Sequence, residues 1–459
     1  MTYSEKDKFM SDSVFIHTQD QLKQLARDIL RYAKEKGASD AVVGITEGGG
    51  LSVSVHKGKI ETIETNKDKV IGVTAYIGKK RGNATTSDFS EASLRATVEA
   101  AYNIATFTSE DDCAGLPDAD MVEKNPQDLQ LYYPWPVTAE DAVEIAKRCE
   151  DAAFAVDKRV TNSEGASVNV QHTHFISADS QGFIGGFPYS RHTISVAPIA
   201  GRGANMQRDY WYSNALNPEK LATPESIGRY AAERALARLN ARRIGTCKCP
   251  VLFEAPLAVG LIGAFVQAIS GGALYRKSSF LLDSLGKSVF PKDINITEDP
   301  HIIGATGSSP FDDEGVRTVK REVVRNGVVE GYFLSSYSAR KLGMKTTGNA
   351  GGAHNLSVVS SLTKKNDDFE AMLRKLGKGL LVTELMGQGV NYVTGDYSRG
   401  ASGFWVENGV IQYPVQEITI AGNMKSMLEQ IVAVGADTMT RGTITTGSIL
   451  IENMTIAGS

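Results

Sequence analysis

The sequence predicts an α+β protein built from several domains. Stretches with helical periodicity alternate with stretches in which apolar and polar residues alternate at every second position. The strand-like stretches are separated by short turns and not by regular helical crossovers, which favours antiparallel pairing over a doubly wound parallel sheet. The predicted organisation is an N-terminal α/β unit at 1–108, a linker at 109–128, a central α+β domain at 129–243 and a β-rich C-terminal domain at 244–459.

Composition places the chain among globular proteins. Of its 459 residues, 42% are hydrophobic and 22% are charged, and the formal net charge is −4, a balance that argues against direct binding of nucleic acid or of an anionic membrane. No apolar run reaches the roughly 20 residues that span a bilayer. The opening stretch MTYSEKDKFMSDS lacks the apolar core of a secretory signal, and four cysteines do not make a disulfide framework. We therefore expect a cytoplasmic protein.

The N-terminal unit is predicted to open with a helix in the stretch HTQDQLKQLARDILRYAKEKG. Thr18 followed by Gln21 fits a capping box, and Gly37 stands where a helix commonly ends. The period then changes from helical to strand-like, and the Gly run at 48–50 and the pair at 57–58 are interpreted as hairpin turns. An Ala-rich helix completes an α-β-β-β-β-α unit.

The central domain is predicted to begin with a helix capped by Thr138 and Asp141. Strand-like stretches follow, and a further helix starts at Thr223 and runs to about Arg242. The C-terminal domain is predicted to hold one buried helix within 251–270, followed by a long strand-rich region.

Histidines and cysteines are the side chains from which zinc sites are usually built. His172 and His174 are two apart on a predicted strand and face one side of it, and His192 on a following strand is a possible third ligand. The alternative is a polar, solvent-facing row on a half-buried sheet. Cys247 and Cys249 are too close in sequence for a zinc knuckle and are interpreted as structural.

Two polar stretches of the C-terminal half are candidates for ligand contact. Asp312, Asp313 and Glu314 precede Gly315, and such a cluster binds a cation or a peptide N-terminus, or caps a turn and stays solvated. The stretch TTGNAGGAHN at 346–355 is a Gly-rich loop that would place backbone groups next to a ligand, or a mobile surface loop.

Three segments occur in one order along the chain: VLFEAPLAVGLIGAFVQAISGGALYRKSS, then FDDEGVRTVKREVVRNGVVEGYFLSSYSARKLGMKTTGNAGG, and finally TGSILIENMTIAG. Together they resemble the TldD/PmbA family, and the similarity runs from the N-terminal α/β unit to the last strand. The Asp-Asp-Glu-Gly block and the strand pair after it are the most specific part. The resemblance implies a cytoplasmic metallopeptidase assembled from two related subunits.

In the TldD-like subunits of this family, a buried helix carries the motif H-E-x-x-x-H. Its histidines hold zinc together with a later cysteine, and its glutamate is the general base. Aligning RKSS of this chain with the Arg-Lys-Gly-Ser after that helix places the motif on GAFVQA. Gly263 and Ala268 then replace the histidines, and Ala264 replaces the base. The expected neighbourhood of the cysteine, IVAVGADTM, contains no cysteine.

The resemblance is therefore to the metal-free, PmbA-like (TldE) branch. It implies no cofactor in this chain, zinc in a TldD-like partner, and a helix retained for packing, with small residues that admit a close neighbour.

The leading hypothesis is a non-catalytic subunit that helps a TldD-like subunit hydrolyse unfolded or small peptides and forms a homodimer when isolated. Residues expected along the peptide route are Arg276, Asp312, Asp313, Glu314, Asn349, Gly351, Gly352 and His354. One alternative, from the family's older label, is a regulatory protein that acts on DNA gyrase without proteolysis. Another is an autonomous hydrolase that uses the paired strand histidines.

Overall fold

The structure, a computed structural model, describes residues 14–458. The opening stretch, on which the expectation about a secretory signal depends, lies outside the described residues. The chain divides into two compact units. Unit 1 holds the described residues up to Ala237, with Ile303–Thr306 and Pro310–Arg317, and unit 2 holds Arg238–Ile302, Gly307–Ser309 and the chain from Thr318 onward.

Unit 1 is an antiparallel sheet with helices packed against it. The strands run in the order β3-β2-β1-β4-β6-β7, with β5 paired to β4 and β8 paired to β6. The elements are α1 (Gln19–Lys36), β1 (Asp40–His56), β2 (Lys59–Ile77), β3 (Lys80–Thr86), α2 (Glu91–Phe107), α3 (Ala139–Phe154), β4 (Val160–Asp179), β5 (Ile184–Gly185), β6 (Pro188–Ala200), β7 (Gln207–Arg208), β8 (Trp211–Ala215) and α4 (Pro224–Ala237).

Strand β1 lies at the centre of this sheet, between β2 and β4. Along β4 its register runs from the pair Val42 and Asp179 to the pair Val55 and Ala166. One continuous sheet therefore contains strands from both the N-terminal unit and the central domain that the sequence predicts.

The helix caps follow the local sequence. Thr18 and Gln21 form the predicted capping box at the start of α1, and Gly37 ends that helix in the left-handed conformation at φ 102°. Thr138 and Asp141 form a second capping box at the start of α3. These predictions are confirmed because a cap depends only on residues within one turn of the helix end.

The Gly run at 48–50 was predicted to turn, and this is wrong. The three glycines lie within β1 and stay in register with β2 and β4, so the unit has three strands between α1 and α2 and not four. A Cβ on Gly50 would lie 2.5 Å from the Val170 carbonyl oxygen, so close strand packing, and not a turn, excludes a side chain there.

The predicted turn at 57–58 is confirmed. Helix α4 ends at Ala237, short of the predicted end at Arg242.

Unit 2 contains two sheets of six strands, in the orders β12-β11-β10-β13-β19-β18 and β16-β15-β14-β9-β20-β17. Its elements are β9 (Cys247–Phe253), α5 (Ala255–Ala268), α6 (Gly271–Tyr275), β10 (Ile294–Glu298), β11 (Arg321–Arg325), β12 (Val328–Val329), α7 (Ser336–Lys341), β13 (Leu356–Ser360), α8 (Phe369–Leu376), β14 (Gly379–Met386), β15 (Asp396–Glu407), β16 (Val410–Asn423), α9 (Met424–Glu429), β17 (Ile431–Val434), β18 (Met439–Arg441), β19 (Ile444–Thr446) and β20 (Ile449–Ala457).

Helix α5 is the predicted buried helix of this region. It contacts β14 of one sheet and β18 and β19 of the other, and its buried side chains belong to the main hydrophobic core of unit 2. The α+β prediction, with an N-terminal helix-strand unit and a β-rich C-terminal region, is confirmed. No helix within residues 14–458 is both long enough and apolar enough to cross a membrane.

Candidate functional site

Helix α5 carries the three positions at which the family resemblance places the zinc motif. Ala264 is 4% exposed and Ala268 is fully buried, and both belong to the hydrophobic core of unit 2. Gly263 is half-buried, and a Cβ built on it meets no atom within 4 Å. The alanines are therefore packed within the core, whereas the space at the Cβ position of Gly263 is open and no neighbour from the described residues fills it.

Zinc does not fit these positions. Glycine and alanine offer no donor atom to a metal, and zinc in proteins takes nitrogen, sulfur or oxygen ligands. Elsewhere in the part of the chain that the structure describes, no group of three or more His, Cys, Asp or Glu side chains is placed to hold a metal ion.

The Gly-rich loop at 346–355 folds over one buried carboxylate. Glu298, at the end of β10, is 1% exposed. Its Oε1 accepts hydrogen bonds of 2.8 Å from Nδ2 of Asn349 and from the backbone N–H of His354. Its Oε2 accepts a 2.7 Å bond from Nε of Arg321. The base of the loop is thus fixed by a hydrogen-bonded ion pair inside unit 2.

Asn349 forms hydrogen bonds with both members of this ion pair, Glu298 and Arg321. Its Oδ1 accepts from the guanidinium of Arg321 at 3.1 Å and from the Thr347 hydroxyl at 2.8 Å, while its Nδ2 also donates to the Gly352 carbonyl at 3.0 Å. The ring of His354 closes the other side, with Nε2 lying 3.1 Å from the Gly348 carbonyl oxygen. Asn349 and His354, both predicted from the sequence as site residues, are therefore brought together and hold the loop's shape.

The apex of the loop is exposed and lacks side chains. Gly351 and Gly352 adopt φ angles of 100° and 122°, which L-residues rarely adopt. No atom lies within 4 Å of a Cβ built on Gly352. Arg276, also in unit 2, is exposed, and its guanidinium donates to the hydroxyl of Tyr275 at 3.1 Å.

The acidic block belongs to unit 1. Asp312 is 3% exposed, and its Oδ1 accepts the backbone N–H groups of Glu314 and Val316, both at 2.9 Å. Asp312 therefore holds the turn, whereas Asp313 is exposed and Glu314 is half-buried. Gly315 completes the turn at φ 78°.

A cavity of about 540 Å³ lies next to this block in unit 1. Phe311, which precedes Asp312 in the chain, and Phe187 form part of its wall, with their ring centroids 5.7 Å apart. The segment from Pro126 to Tyr133 lines the other side. An aromatic wall beside carbonyl-bearing main chain suits an apolar side chain of an extended peptide.

The three strand histidines are buried, so the interpretation of a solvent-facing polar row is wrong. His172, His174 and His192 are 6%, 2% and 0% exposed. The rings of His172 and His192 meet edge to face at 5.4 Å between centroids. In the part of the chain that the structure describes, the Nδ1 atoms of both have no hydrogen-bond partner, while Nε2 of His192 donates to the Tyr133 carbonyl at 2.8 Å.

His174 is engaged by a different group. Its Nε2 lies 3.1 Å from Oε2 of Glu47, and its ring stacks on Phe15 at 3.9 Å between centroids. Glu47 is 1% exposed and also accepts the backbone N–H groups of Ile16 and His17. Burial raises the pKa of Glu47, but these hydrogen bonds outweigh burial and hold the pKa below its usual value.

This arrangement gives the zinc alternative no support, because His174 is committed to Glu47 and the set belongs to no metal-holding group within residues 14–458. Cys247 and Cys249 lie in β9 as expected of structural residues. The pKa of the Cys249 thiol is raised to about 12, mainly by burial and secondly by the neighbouring Cys247. This shift keeps the sulfur protonated and unreactive.

Replacing His172 by phenylalanine should weaken the pH dependence of stability. Burial, together with His192, lowers the pKa of His172 to about 4, against about 6.5 in the unfolded chain. The unfolded state therefore takes up the proton first, and stability is lost as the pH falls from about 6.5 to about 4, by roughly 3 kcal/mol. Urea unfolding across this range should show that loss in the parent chain and a smaller one in His172→Phe. The same slope in both would contradict the assignment, and His301→Gln controls for removing a histidine.

Two buried glutamates described above, Glu47 and Glu298, were missed in the sequence. Glu47 follows Val43 and Ile45 on the buried side of β1, and Glu298 follows Ile294 and Ile296 on the buried side of β10. The signal was present in both cases, because a carboxylate at an apolar position of a strand requires buried donors. Arg321, which pairs with Glu298, gave no such local signal.

Comparisons with known proteins identify the protein family to which the chain belongs. Family models match three consecutive parts of the chain: PmbA/TldA metallopeptidase domain 1 at 41–105, the central domain at 132–239 and the C-terminal domain at 246–458. The chain belongs to the PmbA/TldD metallopeptidase family.

Within the family, the chain is similar to metalloproteases named PmbA. It is 47% identical to Metalloprotease PmbA of Escherichia coli O157:H7, covering 92% of this chain and 93% of that one. It is 46% identical to the PmbA homologue of Haemophilus influenzae, covering 96% of each. Metalloproteases named as TldD homologues are 23% and 24% identical.

The fold is shared with solved structures. A proposed DNA gyrase modulator from Bacteroides thetaiotaomicron matches with a TM-score of 0.90 at 26% identity, covering 96% of this chain and 99% of that one. TldE from Thermococcus kodakarensis has the same fold, with a TM-score of 0.80 at 21% identity and coverage of 95% and 100%.

Proposed function

We propose that this chain is the PmbA-like (TldE-like) subunit of a heteromeric cytoplasmic metallopeptidase that hydrolyses unfolded or small peptides. It carries neither the zinc ligands nor the general base, which a TldD-like partner supplies. The observation that carries the proposal is the state of α5, where Gly263, Ala264 and Ala268 occupy the motif positions and both alanines are packed in the core. The higher identity to PmbA-named than to TldD-named relatives supports the choice of branch.

The chain's own contribution is to position the peptide. Gly351 and Gly352 present bare main chain at the apex of a loop whose base is fixed by Glu298, so a peptide can approach the backbone without meeting a side chain. The exposed Asp313 and the aromatic wall at Phe311 offer a negative charge and an apolar surface in unit 1. Holding a peptide at the partner's reactive centre raises the rate without adding a catalytic group. Isolated, the chain forms a homodimer through the surface meant for the partner.

The isolated chain should not hydrolyse an unstructured peptide, because no side chain at the motif positions activates water. Mixed with the TldD-like subunit of the same organism, it should raise that subunit's rate roughly tenfold or more. The measurement is release of a fluorescent product by each subunit alone and by the equimolar mixture, with native mass spectrometry to confirm the complex.

Gly352→Phe should lower turnover by the mixture without dissociating it, because it places a bulky side chain at the apex. Gly343→Phe is the matched control: Gly343 also has a positive φ, of 66°, and no atom within 4 Å of a built Cβ, but lies outside the loop. Chelator-resistant cleavage by the isolated chain would refute the proposal. A complex no faster than the TldD-like subunit alone would favour the regulatory alternative. That alternative is supported by two solved structures of the same fold that are named as modulators of DNA gyrase.

A further inference from the structure

A cavity of about 480 Å³ opens in unit 1 where the C-terminal half of α1 faces the start of β1 and the end of β4. Helix α1 contributes Arg27 and Lys34 to its wall, β1 contributes Asp40, and β4 contributes Asp179. A volume of this size holds a small molecule. The wall thus combines cations from one element with carboxylates from two others.

Asp179 is the most unusual of these groups, because it is 4% exposed and only one of its two carboxylate oxygens accepts a hydrogen bond from the described residues. Its Oδ1 accepts the backbone N–H groups of Gln181 at 2.8 Å and Phe183 at 3.1 Å, which builds the turn after β4. Its Oδ2 is buried and has no hydrogen-bond partner among residues 14–458. Burial raises the pKa of Asp179, and the nearby Asp40 raises it further. A buried carboxylate oxygen without a donor is costly, and a cationic donor in the cavity would relieve that cost.

Asp40 reinforces the negative side of the cavity. Its Oδ1 accepts the Ser180 hydroxyl at 2.9 Å, and Ser180 Oγ in turn accepts the backbone N–H of Ala41 at 3.1 Å. The carboxylate of Asp40 is therefore held in place next to the end of β4 by a neutral donor, and its negative charge is not cancelled by this contact.

The opposite wall is positive. Arg27, Arg31 and Lys34 recur at helical spacing on α1 and are exposed. Arg31 is paired with Asp28 at 3.0 Å and Glu35 at 3.3 Å. Arg27 and Lys34 make no ion pair with any residue from 14 to 458, so both keep an uncompensated charge at the mouth of the cavity.

This distribution excludes simpler ligands. A phosphate or other anion would be attracted by Arg27 and Lys34 but repelled by Asp40 and Asp179. A divalent cation would find too few ligands, because one oxygen of Asp179 is used in the turn and Ca²⁺ takes six to eight oxygen ligands. Only a molecule that carries an ammonium at one end and a carboxylate at the other complements both walls.

We propose that this cavity binds a small zwitterion, a free amino acid or short peptide, with its ammonium group on Asp179 Oδ2 and Asp40 and its carboxylate on Arg27 and Lys34. The inference is drawn from unit 1 alone and does not depend on the peptidase assignment. Binding would stabilise the turn after β4, because it neutralises the one buried oxygen there that lacks a donor.

The test is isothermal titration calorimetry of the full chain with three dipeptides: Ala-Ala, N-acetyl-Ala-Ala, which lacks the ammonium, and Ala-Ala amide, which lacks the carboxylate. Ala-Ala should bind, and each blocked form should bind about tenfold or more weakly, because a charge-assisted hydrogen bond is lost. Equal binding of the three, or no binding of Ala-Ala at millimolar concentration, would overturn the proposal.

Two variants assign the ends of the ligand. Asp179→Asn keeps the Oδ1 acceptor that builds the turn and replaces only the unpaired oxygen, so it should weaken Ala-Ala about tenfold while raising the melting temperature of the ligand-free chain at pH 7. Lys34→Ala should weaken Ala-Ala but not its amide. Lys36→Ala is the matched control, since Lys36 lies on the same helix but pairs with Glu99 at 2.6 Å. Unchanged Ala-Ala affinity in both Asp179→Asn and Lys34→Ala would refute the assigned site.

Discussion

Replacing Arg321 by alanine should lower the free energy of unfolding by about 3–5 kcal/mol. Nε of Arg321 lies 2.7 Å from Oε2 of Glu298, and the two side chains are 15% and 1% exposed. Among the described residues, the variant leaves the carboxylate buried without a countercharge, with Asn349 and the backbone N–H of His354 as its remaining donors. Urea-induced unfolding followed by circular dichroism measures the loss.

The adjacent residues provide the control. Lys320 pairs with Asp299 at 2.9 Å, but the lysine side chain is 65% exposed. Water screens this pair, so Lys320→Ala should cost less than about 1 kcal/mol. If Arg321→Ala costs no more than Lys320→Ala, the buried pair does not hold the Gly-rich loop and another interaction must fix its base.

Replacing Ala264 by glutamate, which would restore one residue of the zinc motif, should destabilise the chain by about 4 kcal/mol or more. Ala264 is 4% exposed within the core of unit 2, so the new side chain overfills a packed region and carries a charge into it. The expected result is a strongly lowered urea midpoint, or chain found only in the insoluble fraction.

Gly263→Ala is the matched control one position earlier on the same helix. No atom lies within 4 Å of the added methyl group, and alanine favours a helix interior by up to about 1 kcal/mol over glycine. This variant should therefore be neutral or more stable. A similar loss in both variants would mean that α5 tolerates no change at all, and that the packing around Ala264 is not the cause.

Local chemistry explains which parts of the fold could be predicted. The boxes at Thr18 and Thr138 and the end at Gly37 depend on residues within one turn, so the sequence pattern was sufficient. The prediction of a turn at 48–50 failed because glycine is found both in turns and where strands approach closely. Only the pairing of β1 with β2 and β4 distinguishes the two cases.

The candidate site was predicted less well, for a related reason. Asn349 and His354 were identified from their sequence, but the carboxylate that binds both lies far along the chain: Glu298 is 51 residues from Asn349. The strand histidines were recognised as a set, yet His172 and His192 pack against the rings of Tyr132 and Trp135, which the strand pattern does not specify. Spacing identifies which residues can do chemistry, and tertiary packing decides which of them serve structure.

The position of β1 at the centre of its sheet has a consequence for synthesis on the ribosome. The partner that completes one side of β1 is β4, and the register joins Val42 to Asp179 and Val55 to Ala166. More than a hundred residues must therefore be translated after β1 before that side can pair, which at about 5–20 residues per second takes roughly ten seconds. During this interval the nascent β1–β2 hairpin has an open edge, where a chaperone can bind or a neighbouring nascent chain can pair wrongly. Because these contacts are so distant in sequence, folding of unit 1 should be slow. The central sheet should form only after β4 has left the ribosomal exit tunnel.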